Sequence, residues 1–202
     1  MGGTLAFGSG STLDKNNPAA ERKSLNDERF GLQVGYNWGL GGNTFWGIEG
    51  DVRVGELTAR WEGRSTNQYN SYYTEDTVKN SLAVKAKFGV ARERMSVYGV
   101  AGAIWAQTSN SLGCDRALVV ATNGCVTKFE DSKDSTTTGY VLGIGSEYLV
   151  SDNLSLKMEY LHTELSKNSV TLSDPNYPNS PVNGREFATQ FGEVSLGVNY
   201  RF

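Results

Sequence analysis

The chain is short of the residues on which most enzymes and secreted scaffolds rely. In 202 residues it has one histidine, two cysteines and four prolines. A lone histidine cannot build a histidine-rich metal cluster, and no cofactor is expected. No run of about 18 apolar residues occurs, so no helix is long enough to cross a bilayer. Charge of one sign is also lacking. The formal net charge of -3 argues against nucleic acid as a partner. A mean hydropathy of -0.41 does not exclude a membrane protein, because a β-barrel needs apolar residues only at every second strand position. The length suits one domain over residues 1–202. Met1 lies almost directly on the first strand-like segment, so no signal peptide is expected before it and the chain reads as mature or trimmed.

What the chain has is glycine, 24 residues, and aromatics, of which ten are tyrosine. It also has alternation with period two, the mark of a half-buried strand. The final segment, Phe187 to Phe202, sets Val194, Leu196, Val198, Tyr200 and Phe202 against Glu193, Ser195, Gly197, Asn199 and Arg201. Seven earlier segments follow the same rule, near Gly2–Gly10, Arg29–Gly39, Thr44–Val54, Leu82–Val90, Ser96–Thr108, Tyr140–Val150 and Leu154–Tyr160. Gly55 is expected to be a bulge, with its strand continuing towards Trp61. Four long polar segments, Ser11–Glu28, Thr58–Asn80, Ser109–Thr136 and Thr163–Glu186, alternate with short turns. Eight strands joined this way predict an up-and-down antiparallel barrel. Its last strand pairs with its first, and all long connections lie at one end.

Which face points inward separates a transmembrane barrel from a soluble lipocalin-like one. The interior of an eight-stranded barrel is just wide enough for side chains. The polar face is repeatedly glycine, at Gly31, Gly35, Gly89, Gly143, Gly145 and Gly197, which suits a crowded lumen. It also carries Arg29, Arg53, Lys85, Lys87, Lys157 and Arg201 against Glu49, Asp51, Glu147, Glu159 and Glu193. Buried charges must pair, and this near balance suits an interior network. The apolar faces carry no charge up to Glu56, as lipid requires. Trp38, Trp46, Tyr140, Tyr160 and Phe202 fall near strand ends, where interfacial girdles form. These features favour the transmembrane orientation.

Cys114 and Cys125 lie in one polar segment. Their even count predicts a disulfide and an oxidising compartment; two free thiols is the other reading. His162, the one candidate general base, sits beside Thr163, Glu164 and Ser166. Alternation puts Thr163 and Glu164 on opposite faces, so no catalytic constellation is expected and the chain is not expected to be an enzyme. Tyr69, Tyr72, Tyr73 and Tyr177 lie in the long segments and could anchor a protein or glycan partner.

Five pieces, Leu82–Gly89, Tyr98–Trp105, Gly143–Tyr148, Leu156–Tyr160 and Ser195–Phe202, resemble the transmembrane domain of outer membrane protein A and related small porin-like outer-membrane barrels. The resemblance covers strands and short turns, not the long segments. It implies a place in the outer membrane of a Gram-negative cell, with the lipid bilayer and its lipopolysaccharide as surroundings. It also implies that Tyr200 and Phe202 form the signal read by the outer-membrane assembly machinery. In that family, interior charges form a gate that exchanges ion-pair partners. By motif, Glu49, Glu147, Lys87 and Lys157 match its members, although lysine at 157 replaces the usual arginine and cannot make its bidentate pair. The expected function is structural display of surface loops for adhesion or host interaction. The alternatives are a narrow gated channel and a soluble ligand-binding barrel.

Overall fold

The computed structural model describes residues 1–14, 23–62, 72–114, 127–175, 178–179 and 184–202. These residues form ten strands: β1 (Gly2–Asp14), β2 (Lys23–Gly41), β3 (Thr44–Val54), β4 (Leu57–Glu62), β5 (Tyr72–Arg92), β6 (Met95–Cys114), β7 (Phe129–Leu149), β8 (Leu154–Leu165), β9 (Asn168–Thr171) and β10 (Gly184–Tyr200). All pairings are antiparallel, and the ring runs β1-β2-β3-β5-β6-β7-β8-β10 and back to β1. The closing seam extends from Gly2↔Asn199 to Asp14↔Phe187. Met1 prolongs it, since Tyr200 N–H donates to the Met1 carbonyl at 2.7 Å.

Ten strands stand where eight were expected because two staves are interrupted. β3 and β4 both pair with β5. Gly55 breaks them apart at φ +129°, a conformation L residues rarely adopt, and a Cβ there would meet the Glu28 carbonyl at 2.9 Å. β8 stops at Leu165, and β9 resumes against β10.

The short turns follow from local chemistry. Gly42 and Asn43 both have positive φ, at 59° and 71°, as a two-residue type I′ hairpin loop requires. The Thr44 hydroxyl adds a bond to the Gly41 carbonyl at 2.7 Å. The β5–β6 turn places Glu93 at φ 53°.

The long polar segments are less irregular than the sequence suggests. β5 and β7 have 21 residues each and β6 has 20, whereas a tilted strand crosses a bilayer with about 9–11. The sheet therefore continues well beyond the membrane. Alternation persists there, but its polarity inverts. Below Trp105, β6 points Val97 outward; above it, Gln107 and Ser109 face out and Leu112 and Cys114 face in. Water replaces lipid outside the wall, so polar side chains take the outer face and apolar ones fill the inner.

Across the membrane the apolar face is outermost. Phe30, Leu32, Val34, Ile144, Leu156 and Leu196 are all more than half exposed, an arrangement stable only against lipid. At the short-turn border Trp38 stacks on Trp46 with centroids 4.3 Å apart, and Tyr36 meets Trp38 edge-on at 4.7 Å. Trp105, Tyr140 and Tyr160 mark the opposite border.

Candidate functional site: the barrel interior

Nine charged side chains form one continuous network across the membrane-spanning lumen. Glu49 on β3 is its hub. It lies 2.8 Å from Lys85, 2.8 Å from Lys87 and 2.7 Å from Lys157. Lys85 also reaches Asp51 at 2.5 Å and Glu159 at 3.0 Å, and Lys157 reaches Glu159 at 3.1 Å. Towards the loop end, Arg53 joins Asp51 at 3.7 Å and Glu193 at 2.9 Å, and Arg29 joins Glu193 at 3.3 Å. All nine are buried. The set balances five cations against four carboxylates. A charge buried in a low-dielectric lumen is tolerated only beside a counter-ion, and each of the nine has at least one within 4 Å.

Two residues grouped with this network by parity stand apart from it. Arg201 lies past the end of β10, is exposed, and is held by its backbone: its N–H donates to the Asn153 carbonyl at 2.8 Å and its own carbonyl accepts from Asn153 Nδ2 at 2.9 Å. Strand parity does not govern it, because β10 ends at Tyr200. Glu147 does point inward, but among the described residues it accepts from neutral donors, Ser155 and Asn199 Nδ2, the latter at 3.2 Å. It connects to the network through amides. Lys157 donates to Gln33 at 2.9 Å, and Gln33 donates to Asn199 at 2.5 Å. Gln33, Asn199 and Arg29 are thus parts of the site that the four-residue gate set leaves out. All three sit on the polar face by alternation, which was the available signal.

Two structures flank the network. At the short-turn end a vestibule of about 520 Å³ opens, with Glu49 and Lys87 at its floor and Asn37, Phe45 and Glu147 in its wall. At the other end the lumen is filled by an apolar plug that includes Leu25, Leu57, Trp61, Leu112, Phe187 and Phe191. Trp61 and Phe187 pack with centroids 6.1 Å apart. Buried polar groups accompany it, Asp76 among them, which accepts from Thr12 at 2.7 Å, Thr189 at 2.8 Å and Asn110 at 2.9 Å.

Glycine makes room for a large aromatic in the charged layer, Tyr98, which packs edge-on against Phe45 with centroids 6.2 Å apart. Tyr98 lies between Gly89 on β5 and Gly145 on β7 in register. A Cβ on Gly145 would sit 2.6 Å from the Tyr98 ring, and one on Gly89 would sit 2.5 Å from Tyr98 Cβ. The ring so placed donates its hydroxyl to Glu159 at 3.3 Å and presents its face to Lys87 Nζ, 5.1 Å from the centroid, a cation–π contact.

The remaining candidates lie elsewhere. His162 is half-buried on the outer wall of β8, with Thr163 inward and Glu164 exposed outward. Ser166 lies beyond the strand. These groups do not converge. Tyr72 and Tyr73 are buried in β5, and Tyr73 stacks under Arg60 at 3.8 Å, so neither is an open anchor. Tyr69 and Tyr177 lie outside the described residues. So does Cys125; Cys114 is buried at the end of β6, and no described cysteine is free.

Comparison with known proteins agrees with this architecture. The model of the outer membrane protein β-barrel domain matches residues 1–202. The 31 kDa outer-membrane immunogenic protein of Brucella melitensis biotype 1 is 30% identical over 175 residues, which are 85% of this chain and 65% of that protein. Its namesake in Brucella suis biovar 1 matches equally. The chain thus spans just under two thirds of the length of these relatives. A major outer membrane protein of Thermus thermophilus shares the fold, with a TM-score of 0.54, 13% identity and 99% coverage of both chains. The chain belongs to the outer membrane protein β-barrel domain family and is an outer-membrane protein of the Gram-negative type.

Proposed function

We propose that the protein is a non-conducting anchor that presents a β-sheet extension at the cell surface for contact with another cell or macromolecule. The apolar plug carries this reading. A lumen closed by Leu57, Trp61, Leu112 and Phe187 above a charge layer already engaged in ion pairs would strip an entering ion of its hydration and offer it Asp76, whose oxygens three donors already occupy. The staves that hold the plug, β5 to β7, continue far beyond the bilayer; β4 and β6 end on that side at Glu62 and Cys114, and residues 63–71 and 115–126 follow them in the chain. Tyr200 and Phe202, which are exposed with ring centroids 5.1 Å apart, are the features the assembly machinery would read. The gate reading of Glu49, Lys87, Glu147 and Lys157 requires passage through the plug, and Glu147 would first have to leave its neutral donors.

Planar-bilayer recording and cell binding together test the proposal. Purified protein should give no single-channel current. Bacteria displaying it should bind host-cell monolayers more than bacteria in which 63–71 and 115–126 are replaced by short Gly-Ser connections. Stepwise current in the wild type would remove the anchor reading, and equal binding by the two strains would remove the contact reading.

A further inference from the structure

The vestibule at the short-turn end holds charges that the ion-pair network leaves unused. Glu147 is half-buried in its wall and accepts from Ser155 and from Asn199 Nδ2, the latter at 3.2 Å. Among the described residues no cation pairs with it. Lys87, at the floor, is held by Glu49 at 2.8 Å. Arg94 and Arg201 line the mouth, both exposed, and among the described residues neither has a carboxylate partner. Register fixes the levels of these groups. Ser96 pairs with Glu147, and Leu149 N–H donates to the Arg94 carbonyl at 2.7 Å, so Arg94 stands two residues nearer the mouth than Glu147. Arg201 stands the same step beyond Asn199, the amide that Glu147 accepts from. Two strand residues rise about 7 Å. Phe45 and Leu149 add apolar surface to the wall.

We propose that the vestibule is a binding site for dipeptides with free termini, which place the ammonium at Glu147 and the carboxylate at Arg94 and Arg201. The class follows from the charges. A simple anion would be repelled by Glu147 at depth. A metal ion needs several oxygen ligands, and no group of three His, Cys, Asp or Glu able to hold one occurs among the described residues. An organic cation would satisfy Glu147 and leave the arginines bare, whereas a zwitterion meets both, with arginine forks suited to its carboxylate. Its charges also cancel. Glu147 brings the interior carboxylates level with the five cations of the network, and a neutral occupant preserves that balance. An extended dipeptide spans about 7 Å, the step between the two levels, and a cavity of about 520 Å³ has room for its side chains. Asn37 and Ser96 in the lining can bond its peptide group. The short turns of outer-membrane barrels face the periplasm, so the peptide comes from that compartment. The inference rests on the vestibule alone, at the opposite end from the surface extension, and is independent of the surface-contact reading.

The protein in phosphatidylcholine nanodiscs would be titrated with alanyl-leucine while the backbone amide NMR signals of Ser96, Glu147 and Leu149 are followed. A saturable shift is expected. N-acetyl-alanyl-leucine lacks the ammonium and alanyl-leucine amide lacks the carboxylate, and each should bind at least about tenfold more weakly, the effect of losing one charged contact. Glu147→Gln should weaken alanyl-leucine and leave the acetylated peptide unchanged. Arg94→Gln combined with Arg201→Gln should weaken alanyl-leucine and leave the amide unchanged. Both arginines are exposed, so this double variant should fold, and heat-dependent gel mobility verifies it. No saturable shift in the wild type, acetylated peptide or putrescine bound as tightly as alanyl-leucine, or undiminished binding by the folded arginine double variant would each overturn the proposal.

Discussion

Lys157 Nζ lies 2.7 Å from Glu49 Oε1, and the two residues stand on β8 and β3, which are directly opposite in the eight-membered ring. The pair is a brace across the full width of the lumen. Lys85 and Lys87 come to the same carboxylate from β5, so Glu49 ties three staves together and lies at the centre of a cluster of three ammonium groups. Substituting the hub and substituting a spoke should therefore differ sharply.

Glu49→Gln leaves Lys87 with no counter-ion among the described residues and Lys157 with Glu159 alone. Removing one partner from a buried pair typically costs about 3–5 kcal/mol. Lys87→Met leaves Glu49 with two lysines and should cost well under half as much. Urea unfolding in detergent micelles, followed by gel mobility, measures both. Equal losses would mean that Glu49 is not the hub.

The close fit of Tyr98 over Gly145 gives a second prediction. Gly145→Ala places a methyl group within the ring, and overpacking of this kind costs about 1–3 kcal/mol. Gly99→Ala, on the outer face of β6 with its nearest neighbour 4.0 Å away, should be close to neutral. Tyr98→Leu should relieve part of the Gly145→Ala penalty, visible as a coupling energy of about 0.5 kcal/mol or more in a double-mutant cycle. Strict additivity of the two changes would show that the ring and the glycine do not meet.

These relationships bear on what the sequence reveals and what it hides. The membrane-spanning half is legible because one rule governs it. Lipid tolerates no charge, so Glu49, Lys85 and Glu159 can lie only on the face opposite Val52, Val84 and Met158. Which carboxylate meets which ammonium is not legible, because those contacts cross a lumen whose geometry depends on the whole ring. That is why Glu147 reads as a gate member while it bonds to Ser155 and Asn199. The plug is hidden for another reason. Above Trp105 and Tyr140 the apolar parity changes sides, so Leu57, Ala59 and Trp61, or Leu112 and Cys114, stand among polar neighbours and look like scattered apolar residues of a loop. Arg201 shows the opposite error, a parity carried past the end of pairing at Tyr200.

The inversion of polarity can itself be tested. Leu196 faces outward on β10, four residues from Tyr200 at one border and four from Gly192 at the other. Leu196→Arg should lower stability by about 2–4 kcal/mol, the cost of a cation near the bilayer midplane. Thr138 also faces outward, on β7 just beyond Tyr140, and Thr138→Arg should cost less than about 1 kcal/mol. Similar penalties at the two sites, in the same lipid and by the same unfolding assay, would place the membrane border elsewhere.

The plug predicts an inequality of aromatic truncation. Phe191 is inward and 1% exposed, whereas Phe30 is outward and 61% exposed. In a lipid bilayer Phe30→Ala exchanges one apolar group for lipid and removes no packed neighbour, so its cost should stay near the transfer term for the lost ring. Phe191→Ala opens a cavity among residues that cannot collapse without bending the wall, and buried Phe→Ala changes cost about 3–5 kcal/mol. The cavity should also let water approach the Arg29–Glu193 pair below it, since Arg29 lies 6.0 Å from the Phe191 centroid. Faster hydrogen exchange at the β2 and β10 amides around Arg29 and Glu193 should therefore accompany the stability loss. A Phe191→Ala variant as stable as Phe30→Ala, with unchanged exchange, would show that the upper lumen is already wet and is no seal.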